Sequence, residues 1–310
     1  MAKNLTKEVL EDWLENVRPL ARDGKVADYI PALAKQDPDE LAVAVYDLDG
    51  ECVSAGNLVC CFTLQSISKV LSLALALMDN GEEYVFDRVG MEPTGDPFHS
   101  IYRLEQHAPS KPLNPMINAG ALAVTNMIHG ATPDEKVGRL LSFIHEMTDD
   151  QSIRYNEDVA VSEFQTAYLN RSLCYYMKQH GVIEGSVEEN LDAYTKQCAI
   201  EVNIHHLARI GAIFANDGKD LESGRQIIPR HLARICKTFM VTCGMYDASG
   251  SFAIRVGIPA KSGVSGAVVG SVNGFGGIAV YGAALDEKGN SVVGLKLLEL
   301  LANRYDLSIF

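Results

Sequence analysis

Apolar positions follow two rhythms along the chain, and these divide it into three stretches. From Lys7 to Val17 the sequence KEVLEDWLENV is amphipathic and predicts a leading helix. From Leu41 to Gly56, LAVAVYDLDGECVSAG reads as a β-hairpin, with Asp49-Gly50 as a two-residue turn. The run LQSISKVLSLALAL, Leu64 to Leu77, then begins a helix near Ser66 that should end at Asn80-Gly81. Helical spacing persists through the middle. Phe164 to His180 predicts one helix closed by Gly181, and Ser186 with Glu189 forms a capping box for a helix through Tyr194. Asn203 should cap a helix reaching Asn216, with Gly218 behind it, and Pro229 should sit in the first turn of the next. Beyond that the texture becomes strand-like again at Ile254–Gly257, Gly266–Val272 and Gly276–Ala283. Asp286–Asn290 is a turn, and Val293–Arg304 a final amphipathic helix.

Strands at both ends with helices between predict an α/β (α+β) fold. The two ends should meet in one antiparallel sheet flanked by helices. The expectation is a single unit over residues 1–310, with a sheet lobe from about 20–65 and 250–310 and a helical lobe over about 66–249. A cleft between lobes is the natural place for a site.

Composition narrows the function classes. The formal net charge of −13 opposes a nucleic-acid binder, which needs a basic face, and opposes docking on anionic lipid. The longest apolar run, Val70–Met78, is too short to span a membrane. The N-terminus lacks the apolar core of a signal peptide, and the seven cysteines show no CxxC spacing. A cytoplasmic protein with reduced thiols is the expectation. Two metal readings fail on spacing. DLDG at 47–50 is not followed by correctly placed acidic residues. The adjacent His205 and His206 diverge by about 100° on a helix, so an exposed and a half-buried histidine are expected instead.

The candidate chemistry lies at Ser66 and Lys69. A serine hydroxyl needs a base within hydrogen-bond reach to become a nucleophile. Residues three apart share a helix face, so a helix starting near Ser66 brings the Lys69 amine alongside. Lys69 interrupts an apolar face, and burial would lower its pKa. The helix start also offers free N–H groups for an oxyanion. The competing reading is that Ser66 merely caps the helix. Lys261-Ser262-Gly263, far downstream before glycine-rich strands, favours catalysis: S-x-x-K followed by K-[ST]-G is the pattern of the serine β-lactamase and penicillin-binding-protein fold.

From about Ala27 onward the chain more closely resembles the bacterial-type glutaminases, which share that fold. The resemblance is carried by ADYIPALA (27–34), FTLQSISKV (62–70), PTGDPFHS (93–100), KPLNPMINAGA (111–121), SEFQTAYLNR (162–171), DAYTKQC (192–198), CGMYDASG (243–250) and PAKSGVSGA (259–267). It implies hydrolysis of L-glutamine to L-glutamate and ammonia through a Ser66 acyl-enzyme, with Lys69 as general base. Ser66 and Val264 N–H groups would hold the oxyanion. Tyr246 and Tyr194 would be catalytic tyrosines, Tyr246 passing a proton to the leaving ammonia. Glu163 would pair with the substrate ammonium, and Asn118, Asn170 and Tyr29 would complete the pocket. Glu163 and Asn170, seven apart, would share one helix face. The resemblance implies no metal or organic cofactor, and a homodimer or homotetramer. A β-lactamase or transpeptidase, and a catalytically silent glutamine-binding or sensor protein, are the alternatives.

Overall fold

The computed structural model of the protein describes residues 5–95 and 111–310. The PTGDPFHS stretch therefore lies mostly outside the described residues. Helix α1 (Lys7–Val17) starts where Thr6 Oγ1 accepts from Val9 N–H, and it buries Leu10, Leu14 and Val17. Strands β1 (Leu41–Asp47) and β2 (Cys52–Gly56) form the expected hairpin, but its loop is not a two-residue turn. Asp47 N–H donates to Glu51 O, leaving Leu48, Asp49 and Gly50 in the loop. Asp47 Oδ1 accepts from the N–H groups of Asp49 and Glu51, and Gly50 takes φ +91°. The Asp47 carboxylate thus selects a three-residue loop, with the glycine in the left-handed region.

Strand β3 (Phe62–Thr63) leads into a 3-10 turn, Gln65–Ile67, and then α2 (Ser68–Asn80), closed by Gly81 at φ +80°. The helices α3 (Glu82–Arg88), α4 (Asn118–Met127), α5 (Pro133–Thr148), α6 (Glu157–Thr166) and α7 (Tyr168–Gln179) follow among the described residues. The single helix expected over Phe164–His180 is in fact two segments. Ala167, at ψ +40°, breaks it, and the Thr166 hydroxyl donates back to the carbonyls of Ser162 and Glu163. The same hydroxyl-to-carbonyl bond at Ser142, Ser172 and Thr238 lies inside unbroken helices, so the break rests on the conformation of Ala167 itself.

Ser186 caps α8 (Val187–Cys198), which runs on past Tyr194. Strand β4 (Glu201–Val202) pairs with β3, and Asn203 caps α9 (Ile204–Ala215) through a reciprocal box with His206. Pro229 stands one residue ahead of α10 (Arg230–Cys243), at its cap. The strand expected at Ile254–Gly257 is instead the end of α11 (Ser249–Arg255). The alternation that suggested a strand comes from Ile254, 88% exposed, beside buried Val256. Strands β5 (Ala260–Ser262), β6 (Ala267–Val272) and β7 (Gly276–Gly282) and helix α12 (Val292–Tyr305) complete the chain.

The five-stranded sheet has the order β2-β1-β7-β6-β5 and is antiparallel throughout. The first strand thus pairs with the last, Val43 opposite Val280. Successive side chains alternate between faces. Ala42, Ala44, Ala279 and Tyr281 belong to a core shared with α2, α4 and α9. Val43, Val45, Ile278 and Val280 belong to a second core with α1 and α12. Each fully buried Leu or Val there contributes about 1.5–3 kcal/mol. Helix α9, from the middle of the chain, lies against the sheet itself. A Cβ on Gly277 would fall within 2.1 Å of the α9 backbone. Bare glycine is what lets the two layers approach so closely.

Candidate active site

Three connections hold the Ser66 turn, two of them to the five-stranded sheet and one to the chain just ahead of β4. Phe62 stacks on Tyr281 of β7 with centroids 4.6 Å apart. Leu64 N–H donates to Ile200 O at 2.8 Å. Gly263, at the end of β5, approaches so closely that a Cβ there would lie 2.7 Å from Leu64 O. The glycine of the K-S-G run is therefore a contact requirement. Gln65, directly before Ser66, is held at φ +47°, and Tyr246 at φ +54°. Such non-glycine conformations cost about 1–3 kcal/mol each and tend to cluster at functional sites.

A cavity of about 270 Å³ opens over Ser66. Tyr29, Ser66, Asn118, Glu163, Asn170, Tyr194 and Val264 of the expected set line it, joined by Gln65 and Cys198. Glu163 and Asn170 both reach it, from α6 and α7 on either side of the Ala167 break, so not from one helix face. Lys69 and Tyr246 stand behind the wall. The Ser66 hydroxyl interacts with the Tyr246 phenol, whose own hydroxyl donates to Ser262 O at 3.2 Å.

Lys69 is 1% exposed. Its Nζ donates to Asn118 Oδ1 at 2.7 Å and Met116 O at 3.2 Å, and makes no hydrogen bond to Ser66 Oγ. Asn118 Nδ2 in turn donates to Asn170 Oδ1 at 3.0 Å. Two of the polar residues in the pocket are thus wired to the lysine. Burial pushes the Lys69 amine down to about 8, against the opposing pull of Cys198 and Glu163. At neutral pH roughly a tenth of it is unprotonated, a supply of base that an ordinary lysine lacks.

Burial likewise pushes the Glu163 carboxyl up to about 7, against a hydrogen bond from Gln65 and the charge of Lys69. Glu163 Oε2 is buried without a partner. A buried carboxylate oxygen left open in this way favours a cationic ligand group. The Tyr194 and Tyr246 phenols are raised by burial and so hold their protons at neutral pH.

Residue patterns assign no role to two members of this neighbourhood. Lys261 is visible in the sequence only as part of its motif. It is fully buried, with Nζ 2.7 Å from Ser262 O and 4.5 Å from the centroid of the Tyr246 ring. Burial, and then the charge of Lys69, lower its pKa strongly, so the two lysines disfavour double protonation. Gln65 gives no sequence signal beyond standing next to Ser66. His205 and His206 lie elsewhere and are both half-buried: His205 meets Ser54 Oγ at 2.8 Å, and His206 meets Asp150 at 3.2 Å.

Comparison with known proteins agrees over nearly the whole chain. The Glutaminase family profile matches residues 24–310. The chain is 63% identical over 303 residues to glutaminase 1 of Halalkalibacterium halodurans, covering 98% of each. It is 61% identical over 301 residues to the glutaminase of Bacillus cytotoxicus, covering 97% of each. Among solved structures, a probable glutaminase of Bacillus subtilis superposes with a TM-score of 0.92 at 43% identity, covering 97% of this chain and 96% of that one. A Bacillus subtilis glutaminase in covalent complex with 5-oxo-L-norleucine, formed by reaction with 6-diazo-5-oxo-L-norleucine, gives 0.89 at 42%, covering 97% and 98%. On the extent of these matches, the chain belongs to the glutaminase family, with its β-lactamase-like fold.

Proposed function

We infer that this chain hydrolyses L-glutamine to L-glutamate and ammonia through an ester on Ser66. The observation that carries the reading is the juxtaposition of Ser66, a buried amine of depressed pKa, and an unpartnered carboxylate across one small cavity. Glu163 takes the substrate ammonium, and Asn118, Asn170, Tyr29 and Tyr194 hold the remaining polar groups. Ser66 Oγ attacks the side-chain amide carbon while its proton passes to Lys69. The developing oxyanion lies between the N–H groups of Ser66 and Val264. The C–N bond then breaks, and Tyr246 delivers a proton to the departing ammonia. Water attacks the ester as the Tyr246 phenolate takes its proton, Lys69 returns its proton to Ser66 Oγ, and glutamate leaves. Lys69 Nζ is bonded to Asn118 Oδ1, so that bond must give way for the amine to reach Ser66 Oγ. Catalytic hydrogen bonds commonly tighten only with substrate bound. A silent glutamine sensor is disfavoured, since it would need neither the nucleophile nor the buried amine.

The test is ammonia release from L-glutamine by the purified protein, with L-asparagine as parallel substrate. Release from glutamine alone supports the reading, and release from neither overturns it. Glu163→Gln is expected to raise KM for L-glutamine by roughly 10²-fold, because the ammonium then faces a neutral amide and loses about 2–3 kcal/mol of charge-assisted bonding. Initial rates against substrate concentration check this, and an unchanged KM would remove Glu163 from the ammonium site.

We further assign the chain one catalytic unit, with the strand-bearing ends and the helical middle as its two lobes. It would work in the cytoplasm as a homodimer or homotetramer, which sedimentation equilibrium would distinguish from a monomer. No described helix is long and apolar enough to cross a membrane.

A further inference from the structure

The turn that carries Val264 is fixed at its base and less so at its tip. At the base, Gly263 N–H donates to Ala267 O, Gly266 N–H to Gly263 O, and Gly282 N–H to Gly266 O, at 2.9, 2.9 and 3.1 Å. Gly266 sits at φ +98°, packed so closely that a Cβ would lie 2.5 Å from Gly282 O. The tip is Val264-Ser265. Ser265 Oγ is buried with no partner. Among the described residues one side chain hydrogen-bonds the backbone of the tip, and it comes from a remote part of the chain: Gln36 Nε2 donates to Ser265 O at 3.2 Å.

The same nitrogen donates to the Tyr281 hydroxyl, also at 3.2 Å. Ser265 O can only accept, so the amide orientation is settled by chemistry. Gln36 Oε1 is left buried and unpartnered, an arrangement that uses the amide for its donors and leaves its acceptor idle. Tyr281 is a rigid reference point, 1% exposed in β7 and stacked on Phe62, four residues ahead of Ser66. Gln36 thus spans from the ring that anchors the nucleophile's strand to the turn facing the nucleophile. It also ends the segment whose Tyr29 and Ile30 line the cavity.

We propose that Gln36 is a positioning residue for the reaction: its two N–H bonds, to Ser265 O and Tyr281 Oη, hold the Gly263–Gly266 turn so that Val264 N–H keeps its aim at the oxyanion. This rests on the reading of Val264 as an oxyanion donor. Complete loss of such a donor lowers kcat by about 10²–10³-fold. Loosening its support acts on the same step and removes part of that effect. Because the oxyanion exists only in the transition state, the loss falls on kcat and not on KM.

The test uses Gln36→Met, which keeps the length and removes the donors, Tyr281→Phe, and the double variant, each assayed for kcat and KM on L-glutamine. Gln36→Met is expected to lower kcat roughly 10-fold with KM within 2-fold of wild type, a share of the full donor effect. Tyr281→Phe should lower kcat less, and the double variant should be no slower than Gln36→Met, since both act through one amide. An unchanged kcat in Gln36→Met, a change confined to KM, or fully additive losses would each overturn the proposal. Should Gln36→Met fail to fold by circular dichroism, Tyr281→Phe carries the test alone, and an unchanged kcat in it overturns the proposal. Val264→Pro, which deletes the donor itself, separates the two readings. Wild-type kcat in that variant overturns the oxyanion assignment, whereas a large loss there beside an unaffected Gln36→Met overturns only the role of Gln36.

Discussion

Ser66→Ala is expected to lower kcat for L-glutamine by roughly 10⁶-fold, the scale seen when a hydrolase loses its serine nucleophile. The substitution removes one hydroxyl from a position that is 8% exposed, and with it the interaction with Tyr246. The variant should therefore fold and melt close to wild type. Two measurements check it. Ammonia release gives the rate, and mass spectrometry after exposure to 6-diazo-5-oxo-L-norleucine gives the site of attack. Wild type should gain the mass of one adduct and Ser66→Ala none. An adduct on the variant would place the nucleophile elsewhere.

Lys69→Met should lower kcat about 10³-fold, within the range for losing a general base. Wild-type kcat/KM should rise with pH through about 8, where Lys69 gives up its proton, and the variant should lack that limb. Stability supplies a second, independent readout with a definite sign. The folded-state pKa of Lys69 lies below its value of 10.5 in the free side chain. Between about 8 and 10.5 the unfolded chain therefore binds more protons than the folded one, and wild-type stability rises with pH across that window. Below it the full penalty for burying the charge, about 3 kcal/mol, is present. The acceptors Asn118 Oδ1 and Met116 O lose their donor in the variant, which offsets part of the gain. The pH dependence isolates the rest: the variant's advantage should shrink by about 2–3 kcal/mol between about pH 7 and about pH 10. Chemical denaturation at both pH values measures it. An advantage independent of pH would mean that Lys69 is not buried as a charge.

How far this could be read from residues alone depended on the range of the interaction. The hairpin, the Ser66 helix with its Gly81 end, the Asn203 cap and the last helix carry local signals, and all are present. Ile254–Gly257 failed because two alternating apolar residues cannot separate a strand from a short helix whose outer face happens to be apolar. Phe164–His180 failed because the break falls at Ala167, which is neither glycine nor proline, so no local residue signal marks it. The site divided in the same way. Ser66, Lys69 and the K-S-G run have a spacing that chemistry explains. Glu163, Asn118, Asn170 and the tyrosines were legible only through the family pattern, since an isolated Glu, Asn or Tyr has many ordinary uses. Gln65 and Gln36 had no local signature. One acts through a strained backbone angle, and the other through bonds to residues more than 200 positions away.

The pairing of β1 with β7 also has a consequence for how the protein is made. The sheet's central partner for β1 and the Val264 wall of the pocket are synthesised after the middle helices. While the ribosome is still making the middle helices, Ser66 stands on a chain whose sheet edge is unpaired and whose cavity lacks one wall. A chain terminated before residue 260 would keep the serine, the lysine and the Ser66 N–H, and would lack the second N–H, that of Val264. Unfinished copies thus expose the β1 edge, which is their hazard, since an unpaired strand invites pairing with a neighbour. Synthesis of residues 260–282 pairs that edge with β7 and adds the Val264 wall of the cavity in the same event.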